Sequence, residues 1–117
     1  MKTLVLEDDP IIRRAVVRVL RKGGDEIVEA CCCAEARAVA RCELGILDID
    51  LPDGDGVELA QELLRAGQVK AVVFYTGRPV IRAADVGVVV TKGSDAADLR
   101  AAVDAARLRL VSASGTP

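Results

Sequence analysis

The stretch Gly45-Ile-Leu-Asp-Ile-Asp-Leu-Pro-Asp-Gly-Asp-Gly56 is an apolar run interrupted by one carboxylate, then a turn, then a helix start. The run from Leu44 to Ile49 is short and almost wholly apolar, which suits a strand buried on both faces. Asp48 stands near its end, and the Pro- and Gly-rich segment that follows reopens at Gly56 into helical spacing. A strand passing through a short turn into a helix is one βα unit. The same pattern recurs along the chain. LVLEDD ends on Glu7 and Asp8, AVVFYT on Thr76 and VVVTK on Lys92. The predicted strands are Lys2–Glu7, Glu26–Glu29, Leu44–Ile49, Lys70–Tyr75 and Val86–Thr91. If they run parallel, their polar ends gather at the carboxyl edge of one sheet, where open α/β folds bind ligands. Three acids, a hydroxyl and an ammonium at one edge suit a hard cation and a phosphoryl group.

The helices follow from capping and periodicity. The first should start near Pro10 with Asp9 as N-cap, carrying Ile12, Ala15, Val16, Val19 and Leu20 inward and Arg14, Arg18 and Arg21 outward, and stopping at Gly23-Gly24. The second is expected over Ala34–Glu43, with Ala36, Val39 and Ala40 inward. The third runs from Gly56 toward Gly67 and buries Ala60, Leu63 and Leu64. The last opens after Ser94 or Asp95 and presents Leu99, Val103, Ala106 and Leu110. Between Thr76 and Val86 there is room only for a stub of one or two turns after Pro79. The domain is expected to span residues 1–111, with 112–117 a disordered tail.

A chain of 117 residues is expected to form one domain with a real core. With 29% charged residues and a net charge of −2, no basic field draws in nucleic acid or anionic membrane. No apolar stretch approaches a membrane span, and the start runs directly into a strand; a cytoplasmic location is expected. Cys31, Cys32 and Cys33 are consecutive and Cys42 stands apart, with no CxxC pair and no histidine. They read as small, reduced, partly buried residues, with a soft-metal or redox site as the alternative. A thiol at a helix N-terminus can also have a lowered pKa.

Taken together, an acidic pair after the first strand, Asp-x-x-Leu-Pro with a later Asp-Gly after the third, Thr-Gly after the fourth and Lys after the fifth resemble the receiver domain of bacterial two-component response regulators. The resemblance covers roughly Lys2 to Leu110. It implies a flavodoxin-like, doubly wound α/β fold with a five-stranded parallel sheet in the order 2-1-3-4-5, here with a short or irregular fourth helix. It implies that Asp48 is the phosphoacceptor, with Thr76 donating to a phosphoryl oxygen and Lys92 balancing charge. Glu7, Asp8, Asp48 and the backbone carbonyl of Asp50 would hold Mg2+ or Mn2+. The partners implied are a histidine kinase or phosphotransfer protein, docking on the first helix, and an unknown downstream protein. The module would not be an enzyme beyond its own phosphorylation and dephosphorylation.

Each residue also has a plainer reading. Acids near a helix N-terminus are favoured by capping and the helix dipole alone, and Asp9 is read that way. The side chains of Asp50, Asp53 and Asp55 are read as turn or solvent residues. The chain also departs from the family pattern. Gly93 replaces the proline that usually follows the lysine, so a looser Lys92 is expected. Val89 replaces an aromatic that usually reports phosphorylation. These departures, with the short fourth helix, predict intact chemistry and an unusual readout. Asp50 and Arg78 fall where the family tunes phosphoryl lifetime, and Gly77 leaves room for small phosphodonors. An apolar edge is expected around Val80, Ile81 and Val88. The alternative is a receiver-fold binding module acting with weak or no phosphorylation. A flavin or nucleotide enzyme fits poorly, because Glu-Asp-Asp-Pro would repel a phosphate in the absence of metal.

Overall fold

The computed structural model describes residues 1–78, 80–93 and 95–114, with side chains described through Val111. Along the chain come β1 (Lys2–Leu6), α1 (Pro10–Lys22), β2 (Glu26–Ala30), α2 (Cys33–Ala38), β3 (Leu44–Leu47), β4 (Asp50–Leu51), β5 (Gly54–Asp55), α3 (Gly56–Arg65), β6 (Ala71–Thr76), α4 (Ile81–Ala84), β7 (Val88–Thr91) and α5 (Ala96–Ser114). Five strands form one parallel sheet in the order β2-β1-β3-β6-β7, and β4 pairs with β5 in a small antiparallel ladder. Counted over the five long strands, this is the expected 2-1-3-4-5 order.

Side chains alternate along the strands and divide the core into two layers. Leu4, Leu6, Leu47, Val72 and Phe74 pack with Ala36 of α2, Val57, Ala60 and Leu63 of α3 and Ala83 of α4. Val5, Leu44, Ile46, Val73 and Val90 pack with Val16, Val17 and Leu20 of α1 and Leu99, Val103 and Ala106 of α5. Both faces of the sheet are thus covered, as nearly continuous apolar strands require.

Helix starts follow the capping logic. Asp9 Oδ1 accepts from Ile11 N at 2.9 Å and Ile12 N at 3.4 Å, ahead of Pro10. Gly23 caps the end of α1 and Gly24 takes φ 88°, while Gly67 takes φ 72° beyond α3. Several inward positions differ from the expected stripes. On α1 Val17 is buried and Ala15 exposed, and Ala40, which falls beyond the end of α2, is exposed.

The largest boundary difference is α2, which ends at Ala38 and not at Glu43. Gln68, far along the chain, donates through Nε2 to the carbonyls of Arg37 (3.0 Å) and Val39 (3.1 Å). Those bonds satisfy groups a longer helix would have used, and Val39 turns extended with ψ 139°. Strand β7 begins at Val88 because Val86 and Gly87 both donate to the Ala83 carbonyl and close α4. The stub after Pro79 is borne out as the four-residue α4, although Pro79 itself, like Ser94, lies outside the described residues. Helix α5 continues to Ser114, past the expected edge at Val111, because no breaker precedes Gly115. The expectation for 115–117 falls outside the described residues.

Candidate functional site

Register brings the strand ends together. Leu6 pairs with Leu47, and Thr76 with Thr91. Glu7 and Asp48 therefore emerge side by side, one residue beyond paired positions, and Lys92 follows Thr91 on the sheet's other wing. Carboxylate oxygens of Glu7, Asp8 and Asp48 all lie within 4.8 Å of one another. Glu7 and Asp48 are buried, and Asp8 is exposed.

Lys92 reaches between the two buried acids. Its Nζ is 2.7 Å from Asp48 Oδ2 and 2.5 Å from Glu7 Oε1. The remaining oxygens are also occupied: Asp48 Oδ1 accepts from Ile49 N at 2.7 Å, and Glu7 Oε2 from Asp9 N at 3.2 Å. Burial raises the Glu7 carboxyl above the usual range; Asp8 and Asp48 add to this, while Lys92 and the Asp9 N–H oppose it. Burial acts against the Lys92 ammonium too, yet its bonds to Asp48 and Glu7 hold its pKa above the ordinary lysine value. At the position where the family pattern has proline, Gly93 takes φ 88°, and Lys92 N donates to the Thr76 carbonyl at 2.8 Å.

The loop after Asp48 depends on a close approach that only glycine permits. Gly56 N donates to the Ile49 carbonyl at 2.7 Å. A Cβ built on Gly56 would lie 1.9 Å from the Asp48 carbonyl oxygen, far inside contact distance. The first residue of α3 is thereby pressed against the backbone of Asp48. Thr76 is fully buried, and its Oγ1 accepts from Arg78 N at 3.1 Å, which leaves the hydroxyl proton available to donate.

The three turn aspartates do more than face solvent. Asp50 is bridged by Arg78, whose hydrogen bonds lower its pKa. Asp53 accepts from Cys33 N (2.7 Å) and Ala34 N (3.1 Å), capping α2 from across the fold. Asp55 caps α3 through Val57 N at 2.8 Å and pairs with Arg82 of α4. Burial opposes the Asp55 carboxylate, but Arg82 and the Val57 N–H prevail and lower its pKa. Sequence reasoning also gave no role to Arg13, which donates to the Glu7 carbonyl at 2.7 Å and to Glu29 Oε1 at 3.2 Å. Its place one turn into a helix that starts beside the acids was the available signal.

Cysteine chemistry runs opposite to the lowered pKa considered above. A hydrogen bond to Glu35 pushes Cys31 up to about 11, and burial takes Cys33 to about 11.

A doubly wound parallel sheet with acids, a threonine and a lysine at its carboxyl edge defines a receiver-like signalling module. The response regulator receiver domain family matches residues 3–104, and the chain belongs to that family. It is similar to the DNA-binding transcriptional activator DevR/DosR of Mycobacterium tuberculosis, 38% identical over 69 residues covering 55% of this chain and 32% of that protein. It is similar to the transcriptional regulatory protein AruR of Pseudomonas aeruginosa, 36% identical over 85 residues, covering 66% of this chain and 34% of that protein. The chain thus spans about a third of the length of these curated relatives. Among solved structures, the response regulator protein TrrA from Thermotoga maritima, in complex with Mg(2+)-BeF, is 25% identical with a TM-score of 0.81, covering 90% of this chain and 97% of that one. Because one curated relative is DNA-binding by name, these relatives lend no support to the expectation that nucleic acid plays no part. No helix among the described residues is long and apolar enough to cross a membrane.

Proposed function

We propose that this chain accepts a phosphoryl group on Asp48 from a histidine kinase or phosphotransfer protein and signals through protein contact. The observation that carries this reading is the convergence of Glu7, Asp8 and Asp48 within 4.8 Å, with Lys92 bridging the two buried members. In transfer from a phosphohistidine, the N–P bond breaks as an Asp48 Oδ–P bond forms, and the imidazole leaves. Two anions meet in that step, so its barrier falls where positive charge is already in place. Lys92 would supply one such charge on the Asp48 side, and the Thr76 hydroxyl, whose oxygen accepts from Arg78 N, would donate to a phosphoryl oxygen.

The donor set also fits a hard divalent cation. It is all oxygen, it converges on one point, and a buried glutamate with a raised pKa favours a nearby positive charge. Glu7, Asp8, Asp48 and the Asp50 carbonyl would hold Mg2+ or Mn2+. The ion would neutralise charge between Asp48 and the incoming phosphoryl group.

The arginine-rich outer side of α1, with Arg14, Arg18, Arg21 and Lys22, is the proposed docking face for the phosphodonor. The second reading, a binding module with little phosphorylation, is favoured by the four-residue α4 and by Val89 in place of an aromatic. Incubation with acetyl phosphate and Mg2+, followed by intact mass, separates the two. A single phosphoryl adduct that Asp48→Asn abolishes supports phosphoacceptance. No adduct from acetyl phosphate or from a kinase supports the binding module.

A further inference from the structure

Beside the site, at the end of β2, where Glu7 N donates to the Ala30 carbonyl, two thiols and a carboxylate meet without any part in the chemistry above. Ligand atoms of Cys31, Cys32 and Glu35 lie within 4.8 Å of one another. Two features free them for a ligand. Cys32 occupies the N-cap position of α2 but makes no capping hydrogen bond, because Asp53 bonds Cys33 N and Ala34 N in its place. Cys33 points into the core, so the two sulfurs left outside are those of Cys31 and Cys32. Glu35 folds back over them, its Oε1 accepting from Cys31 N at 2.7 Å. The neighbouring depression, about 310 Å³ and lined by Arg13, Glu29, Ala30, Cys31 and Glu35, gives open access. Within it the Arg13 charge is compensated by Glu29 at 3.2 Å.

We infer that Cys31, Cys32 and Glu35 form a second metal site, selective for a thiophilic ion such as Zn2+ and separate from the all-oxygen acidic cluster. Two sulfurs and one carboxylate are a donor set for a soft or borderline d10 ion, and a tetrahedral ion with three protein ligands keeps one position for water. On binding, two M–S bonds and one M–O bond form, and two thiol protons leave to solvent. Glu7, Asp8 and Asp48 lack sulfur and cannot give the same spectroscopic signature.

The test titrates the reduced full chain with Cd2+ and follows the ultraviolet thiolate-to-cadmium charge-transfer band, with Zn2+ as competitor. One equivalent of Cd2+ should produce the band, and Zn2+ should quench it. Since loss of even an outer partner of a metal ligand costs roughly tenfold or more, Cys31→Ser, Cys32→Ser and Glu35→Gln should each weaken binding by at least about tenfold. Asp48→Asn should leave the band unchanged. Cys31 and Glu35 are exposed, and melting temperatures matching the wild type would show that those variants fold. Absence of a band at stoichiometric Cd2+, or a band that survives in the Cys31→Ser/Cys32→Ser double variant, overturns the inference.

Discussion

Arg78 grips Asp50 with two nitrogens, Nη2 on Oδ1 at 2.6 Å and Nε on Oδ2 at 3.2 Å. Asp50 follows Asp48 by two residues and Arg78 follows Thr76 by two, so the pair spans the carboxyl edge from one strand end to another. Asp50 is thereby engaged, and on the proposed function the guanidinium would shield the approach of an attacking water. Arg78→Ala should shorten the phosphoryl lifetime by about threefold to tenfold, which is about 1 kcal/mol in barrier. Both side chains are more than half exposed, so the melting temperature should hardly move. Decay of the phosphorylated form by intact mass checks this, and an unchanged or longer lifetime contradicts it.

Gly56→Ala tests the backbone contact behind the acceptor. The added methyl would meet the Asp48 carbonyl oxygen at 1.9 Å, so α3 or the acceptor loop has to shift. Overpacking of this kind costs about 1–3 kcal/mol. The expected result is a lower melting temperature together with slower phosphorylation by acetyl phosphate. A variant with native melting and native rate would show that the loop yields without consequence.

Removing the bridging ammonium should make the protein depend on metal. Lys92→Met leaves Glu7 and Asp48 buried without their counter-charge, and the cost should be roughly 2 kcal/mol, below that of a fully buried pair because Lys92 is partly exposed. Added Mg2+ should then raise the melting temperature of the variant more than that of the wild type. Equal Mg2+ responses would argue that the cation does not share the lysine's carboxylates.

Acid stability should carry a signature from Asp53. The N–H groups of Cys33 and Ala34 hold its pKa below the ordinary 3.8, so the folded state binds its proton less readily than the unfolded chain. Its stabilisation is present above 3.8 and lost as pH falls through the lower folded value. Asp53→Ala should melt below the wild type at neutral pH, and the gap should close in strong acid. Thermal melts across an acid series measure it. A gap independent of pH would assign the effect to packing of the turn and not to the charged cap.

Much of this was legible from local signals. Strand ends, the Asp9 cap, the stop at Gly23-Gly24 and the shortness of α4 each depend on neighbours within a few residues. What the sequence hid depends on partners far along the chain. The early end of α2 is made by Gln68, and the N-terminal cap of the same helix by Asp53. Neither follows from the period of residues 33–43. The burial of Val17 in place of Ala15 is a rotation of α1 set by α5 and the sheet, which a stripe drawn on one helix does not contain. At the site, residue types and strand ends were readable, but the Lys92 bridge was not, because proximity there comes from register.

A helix of four residues closes too few hydrogen bonds to hold its own shape, so α4 takes its place from what grips it. Ala83 anchors it in the core, and Arg82 ties it to Asp55, the residue that starts α3 just beyond the acceptor loop. Helix α4 is therefore tied to the start of α3, just beyond the loop that carries Asp48. On the proposed function, a shift of that loop would reach α4 through this ion pair, without an aromatic at the position of Val89.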